Sequence, residues 1–454
     1  MEKYLSRSID QALLEWKDNP RRKPLLVRGA RQVGKSSTIR HLGKNFKYFL
    51  EVNVERNPEV MEFFKGSRDV KSIAAKLSDF FNVPVVPGET LLFLDEIQKC
   101  EDVIHSLWFF KEDYPELHVI AAGSLLEFAL KNLSSFGVGR VSSLFVYPMS
   151  FDEFLTATRQ EGLLRIKRNS SPTNPLPEAF YNRLVEAFRS YMLVGGMPEA
   201  VATYTETGSY RYSSDIVNEI IQGYQDDFAK YGAKANPLLL RQTLISVAHQ
   251  AGAKFVCSRV EGQYRSAEVK VALEMLKDAG LIIPTYHTDA NGVPLGAEIN
   301  ERVVKYLIHD TGVLLGILGI DDDIDERIKE MMVADSIDLV DKGHVAEMMA
   351  GLELIKYSSP QKRHQLYYWQ NMNKGTCAEV DYVIARSGSI VPIEVKSGVK
   401  GSMSSMYSLM RNPQKHIEMG IRCSLENFGT FASPDGKKID IIPLYAISNL
   451  FVEK

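Results

Sequence analysis

The chain has 454 residues, 45% hydrophobic and 24% charged, with 54 Lys and Arg against 57 Asp and Glu for a net charge of −3. That composition excludes collagen-like, low-complexity and mostly disordered chains, and the length suits about three domains. The near balance of charge excludes a protein that coats nucleic acid non-specifically, so any such contact has to use a local patch.

The opening MEKYLSRSID lacks the apolar run of a signal peptide, and no apolar stretch approaches the ~20 residues that span a bilayer. Cys100, Cys257, Cys377 and Cys423 are far apart and form no CxxC pair. The expectation is a cytoplasmic protein in a reducing compartment, with no membrane contact, zinc ribbon or disulfide framework.

From about Leu25 to Tyr147 short apolar runs alternate with helical patterns: Leu25–Val27, Tyr48–Val54, Leu91–Leu94 and His118–Ala122. Continuous rather than alternating apolar residues predict strands covered on both faces, hence a parallel α/β sheet. The polar, Pro- and Ser-rich stretch between Arg159 and Glu178 reads as an exposed connection. Helical patterning resumes from Ala179 to about Ser246, broken at Val194-Gly-Gly-Met-Pro198 by what reads as an interhelical turn. A helix at Ala267–Ala279, stopped by Gly280, precedes a strand at Leu281–Tyr286, a turn at Asp289–Gly292 and a second extended run, the outline of a winged helix. The acidic Asp321–Glu326 resembles a linker, and a last α/β unit runs to the end. The expected division is 1–160, a parallel α/β core; 161–235, a helical lid or connector; 236–335, a winged-helix-like region; and 336–454, a C-terminal α/β domain.

Gly29-Ala30-Arg31-Gln32-Val33-Gly34-Lys35-Ser36 is a complete GxxxxGK[ST] between a strand-like PLLVR and a helical run opened by Ser37. Such a loop turns successive N–H groups toward phosphate oxygens, and the helix N-terminus that follows adds partial positive charge. Residues Gly29 to Ser37 are therefore the expected ATP site, with Lys35 reaching the β- and γ-phosphates and the Ser36 hydroxyl a ligand of Mg²⁺. Thr90–Glu96 is an apolar strand ending in two carboxylates: Asp95 for the Mg²⁺, Glu96 to polarise the attacking water or, alternatively, to cap the next helix. Ser124, after the fourth strand, is placed for the γ-phosphate or the water, or is only an N-cap. Arg140 is an arginine-finger candidate, in cis or from a neighbouring subunit of a homo-oligomer, or else a surface salt-bridge residue.

RGARQVGKS, LLFLDEIQKC, AAGSLLEF, VGRV and YPMSFDEFL, followed by YMLVGGMPEA, YQDDFAKYG, AEVDYVIA and PIEVKSG, resemble bacterial AAA-type ATPases that carry a C-terminal domain of unknown function, relatives of the archaeal ATPase group. The resemblance covers nearly the whole chain and implies ATP binding by a P-loop NTPase core. It gives Lys35, Ser36, Asp95 and Glu96 the standard roles and extends softer ones to Ser124 and Arg140.

In the last unit, Ala378–Ala385 and Ile390–Lys396 read as strands joined by a turn, which brings Asp381 close to Glu394 across the ladder and leaves Lys396 on the same face as Glu394. Pro392 suggests an edge or a bulge. Glu347 lies on a helix face otherwise made of Ala350, Gly351 and Leu354, where a carboxylate needs a partner or a metal. Helix-Glu, strand-Asp, strand-ExK resembles the PD-(D/E)xK nuclease superfamily, with its restriction-endonuclease-like fold. On that resemblance Glu347, Asp381 and Glu394 hold a second Mg²⁺ or Mn²⁺ and Lys396 steers the nucleophile in cleavage of DNA or RNA. The alternative is that this fold is inert and serves binding or oligomerisation under the control of the nucleotide. A protein-remodelling ATPase is a third reading. Arg265, Lys270 and the wing around Asn291-Gly292 are candidate DNA contacts, and Asp226-Asp227 a metal pair or plain helix polarity.

Overall fold

Leu25–Arg28, Tyr48–Asn53, Thr90–Asp95 and His118–Ala122 form strands β1 to β4, joined by β5 at Ser142–Phe145. All neighbours are parallel, in the order β2-β3-β4-β1-β5. The central β3 and β4 are buried at every residue, as strands covered on both faces must be. Alternate residues Leu92, Leu94, Val119 and Ala121 pack with Ile73 and Leu77 of the helix Val70–Phe81 and Leu107 and Phe110 of the helix Glu101–Asp113. This is the P-loop NTPase arrangement the apolar runs predict. The computed structural model describes residues 4–132, 139–231, 236–319, 342–371, 378–398 and 401–451. The linker expected at Asp321–Glu326, and Cys377, lie outside them.

The chain divides into two units: Met1–Tyr147 with Asp278–Gly280 and Ser359–Arg363, and the remainder. In the second unit the stretch expected as an exposed connection contains the helix Glu161–Arg168, whose Lys167 is fully buried. Its composition is polar because the helix turns Arg165 and Arg168 outward, while Leu163, Leu164 and the whole Lys167 side chain face inward. The Gly195-Gly196 break joins the helices Glu178–Val194 and Pro198–Thr207, and the Gly196 N–H donates to Asp310 Oδ2 at 2.6 Å.

The helix Ser266–Asp278 and the antiparallel pair β6 (Ile282–Thr288) and β7 (Ile299–Ile308) reproduce the expected helix and hairpin. Their sheet continues with β8 (Leu366–Gln370), parallel to β6, and β9 (Glu379–Val380), in the order β7-β6-β8-β9. A third, mixed sheet comprises β10 (Tyr382–Arg386), β11 (Ser389–Val395), β12 (Met419–Ser424), β13 (Gly429–Ala432) and β14 (Lys438–Pro443), ordered β10-β11-β12-β14-β13. Pro392 is on neither an edge nor a bulge: β11 lies between β10 and β12 in unbroken register. Lys396 N–H donates to Cys423 on β12, so by alternation Pro392 faces the same side, one residue before the β12 ladder begins at Ile393. Its missing N–H has no ladder partner to lose. No helix among the described residues is long and apolar enough to cross a membrane.

Candidate functional site

The carboxyl ends of β1, β3 and β4 converge where ligands of open parallel sheets bind. After β1 the chain enters the loop Gly29–Gly34 and then the helix Lys35–Gly43. Gly29 has φ +145°, and a Cβ there would stand 2.2 Å from the Val146 carbonyl oxygen, so only glycine lets the loop close against the following strand. Gly34, at φ +93°, turns the chain into the helix. The loop is fastened from behind by Arg7, whose guanidinium donates to the carbonyls of Val33 at 3.0 Å and Tyr147 at 2.7 Å. Of the other predicted loop residues, Ala30 and Val33 are buried, whereas Arg31, Gln32 and Ser37 are exposed.

Lys35 is buried, and its Nζ donates to the carbonyls of Gly29 (3.0 Å) and Ala30 (2.6 Å). Burial lowers its pKa to about 8, against the opposing pull of Glu96 and Asp95. Ser36 Oγ donates to Asp95 Oδ2 at 3.2 Å, and the other carboxylate oxygen accepts the Glu96 N–H at 3.0 Å. Burial and the neighbouring Glu96 raise Asp95 above its ordinary range. A hydroxyl and a carboxylate at this separation are hard oxygen donors of the kind Mg²⁺ takes, so Ser36 and Asp95 fit that ion.

Glu96 has a left-handed backbone, φ +54°. Its Oε2 accepts from Gln98 Nε2 at 2.5 Å and from Ser124 Oγ at 3.1 Å. The fold thus brings together Lys35, Ser36, Asp95, Glu96 and Ser124, all named from sequence, and adds Arg7 and Gln98, which were not. The position of Gln98, two residues past Glu96, was the only available hint. Arg140 is placed differently: it pairs with Glu112 at 2.8 Å, both side chains about half exposed. That is the surface ion pair weighed as its alternative, worth at most about 1 kcal/mol.

In the second unit Tyr382 pairs with Ile393 across β10 and β11, which sets Asp381 opposite Glu394 as the hairpin arithmetic requires. Asp381 Oδ2 accepts the Val395 N–H at 2.7 Å, and Lys396 Nζ donates to Glu394 Oε1 at 2.7 Å. Glu394 Oε2 is buried without a hydrogen-bond partner. Glu347, on the helix Lys342–Lys356, is buried as expected, but its partner is Lys305 of β7 at 2.8 Å, a residue the sequence did not single out. Among the described residues no group of three or more His, Cys, Asp or Glu is arranged to hold a metal ion. Of the three residues expected to share a metal ion, Asp381 and Glu394 face each other across the hairpin, while Glu347 is engaged by the Lys305 ammonium. Asp227, which is buried, pairs with Lys230 at 2.8 Å, and the exposed Asp226 accepts from Gln222 at 2.8 Å.

Burial, with Asp381 and Glu379 nearby, raises Glu347, and the Lys305 ammonium it is paired with opposes the rise and favours the carboxylate. Burial and Asp381 push Glu394 up to about 7, from an ordinary 4.5, against Lys396. A carboxyl whose pKa is raised by folding binds its proton more tightly in the folded chain. Its contribution is fully present below the unfolded value and is lost as pH rises through the folded one. The melting temperature is therefore expected to fall between about pH 5 and pH 7. Glu394→Gln, which cannot ionise, should flatten that slope; an unchanged slope would contradict the assignment.

Residues 21–155 match the AAA domain family. This stretch is similar to AAA domains and has the parallel sheet of a P-loop ATPase fold. Beyond the AAA domain, residues 185–324 and 342–447 match two families, each described as a domain of unknown function (DUF8612 and DUF4143). A comparison with curated proteins gives no match. Among solved structures the chain is similar to the Aeropyrum pernix Orc1 protein in complex with DNA, at 12% identity over 73% of this chain and 95% of that one, TM-score 0.30. It is similar also to Cdc6p from Pyrobaculum aerophilum, at 13% identity over 73% and 97%, TM-score 0.27. Likenesses at those TM-scores carry no weight for this chain, and the AAA domain stands on its own match and its sheet.

Proposed function

We propose that the chain is a Mg²⁺-dependent ATPase whose nucleotide state controls its C-terminal part. The observation that carries this is the contact of Ser36 with Asp95, with Lys35 beside them and Glu96 next in the chain. On binding, the Lys35 ammonium exchanges its two loop carbonyls for phosphate oxygens, and Ser36 and Asp95 hold the ion. Mg²⁺ supplies charge neutralisation of the phosphates. Glu96 orients and polarises the attacking water. Its Oε2 is held by two donors, Ser124 and Gln98, so both fix where that carboxylate sits. Glu96→Gln should keep ATP binding and lower turnover by roughly 100-fold or more, read by calorimetry and phosphate release. Undiminished turnover would show that Glu96 is not the base. Arg140, as a finger across a subunit boundary of a homo-oligomer, would first have to leave Glu112.

A second question is what the C-terminal part does. Cleavage of nucleic acid is favoured by one observation: Asp381, Glu394 and Lys396 lie together, and Glu394 Oε2 lacks a partner. An inert fold serving binding or oligomerisation is favoured by another, the engagement of Glu347 by Lys305. Incubation with Mn²⁺ and assorted DNA and RNA separates them. Cleavage lost in Lys396→Ala with ATP turnover intact supports the first; none on any substrate supports the second. ATP turnover stimulated by DNA and weakened by Arg265→Ala or Lys270→Ala, both on exposed positions, would establish the nucleic-acid partner.

A further inference from the structure

Four carboxylates, Glu347, Glu379, Asp381 and Glu394, and two lysines, Lys305 and Lys396, meet in the second unit. The pattern helix-Glu, strand-Asp, strand-ExK asks for a divalent ion between them. What the fold supplies instead comes from β7. Lys305 is 1% exposed; its Nζ lies 2.8 Å from Glu347 Oε1 and 2.5 Å from Glu379 Oε1, and 5.0 Å from the centre of the Tyr368 ring.

An ammonium this enclosed is tolerated only because it is paired, and taking either charge away leaves the other buried and uncompensated. The bridge it makes between two carboxylates, closed on a third side by an aromatic face, is the electrostatic work of a bound cation. A divalent ion on Glu347 Oε1, at the usual 2.0–2.6 Å for hard cations, would have to stand against that ammonium or expel it. The helix itself is fixed: Tyr382 OH donates to the Glu347 carbonyl at 2.8 Å, and a Cβ at Gly351 would come within 2.4 Å of the same hydroxyl. Glu347 therefore cannot withdraw from Lys305 by a shift of its backbone without breaking that contact.

We propose that Lys305 is the resident cation of the Glu347–Glu379 half of this cluster, occupying with an ammonium the place of a metal ion, so that Glu347 is not a metal ligand in this chain. The inference is independent of the nucleotide reading. It bears on cleavage by confining any metal to the Asp381–Glu394 side.

The test uses the full-length, nucleotide-free chain carrying Lys35→Ala, so that no nucleotide-bound ion contributes, and reads Mn²⁺ binding by electron paramagnetic resonance together with the melting temperature. With Lys305 present, Glu347→Gln should leave Mn²⁺ binding unchanged. Lys305→Met should lower the melting temperature, gain one bound Mn²⁺ per chain and recover stability when Mn²⁺ is added. Adding Glu347→Gln to Lys305→Met should abolish that gain, and Lys305→Arg, which keeps the charge, should not acquire it. Should Lys305→Met not fold, Lys305→Met with Glu379→Gln, which removes one charge of each sign, is read in its place with the same expectation. Loss of bound Mn²⁺ on Glu347→Gln in the presence of Lys305 overturns the proposal, and so does a folded Lys305→Met chain that gains none.

Discussion

Lys35→Ala should abolish ATP binding, with the calorimetric signal lost and turnover reduced by roughly 100-fold or more. Lys35 is the one buried lysine among the described residues of 21–155, and its ammonium rests on two carbonyls of the loop that has to receive the phosphates. Those carbonyls are neutral, so exchanging them for anionic oxygens strengthens the contact. The depressed pKa of about 8 reflects burial, and a triphosphate beside it favours the charged form. Alanine removes that charge and leaves Asp95 and Glu96 without a nearby ammonium, which disfavours an anionic ligand. The helical circular dichroism should stay unchanged, because Lys35 holds only its own loop. Near-parental turnover in a correctly folded Lys35→Ala chain would remove the nucleotide site from this loop.

Lys167→Met should destabilise the second unit by about 3–5 kcal/mol in urea unfolding. Lys167 is fully buried, paired with Asp152 and donating to Ser448 Oγ at 2.8 Å. Asp152 also accepts from Arg168 at 3.1 Å and from Tyr357 OH at 2.9 Å. Burial alone would raise its carboxyl; Lys167 and Arg168 instead hold it below the ordinary range. Methionine fills the volume and strands a buried carboxylate, and the solvent-exposed Arg168 is a weaker replacement. Lys167→Met combined with Asp152→Leu should recover part of the loss, since neither charge is then left alone. A single substitution costing less than about 1 kcal/mol would mean that Arg168 and Tyr357 suffice.

What could be read in advance depended on whether a residue's partner was near it in sequence. The loop Gly29–Ser36 and the pair Asp95-Glu96 carry their own flanking strand and helix, so their convergence follows from the βαβ rule. The approach of Asp381 to Glu394 follows from counting across one hairpin. Strand β5 did not stand out, because Ser142–Phe145 is four residues of mixed polarity, recognisable only beside β1. Lys167 falls in the stretch that reads as an exposed connection, and the acid that pairs with it is 15 residues away on another helix. Lys305 sits within INERVVKYLI, where alternation says which face it takes but not that Glu347, 42 residues on, will meet it. A lone carboxylate on an apolar helix face was a sound reason to expect a cation. Which cation was a tertiary fact.

The parallel pairing of β6 with β8 also governs how the polypeptide can be dissected. A fragment ending near residue 335 would carry the hairpin yet lose β8, baring the β6 backbone from Thr285 to His287. Exposed strand edges of this kind template association between chains. Expression of the hairpin region by itself should therefore yield aggregates, and swapping the last hundred-odd residues between homologues would have to keep the Leu366–Tyr368 register intact.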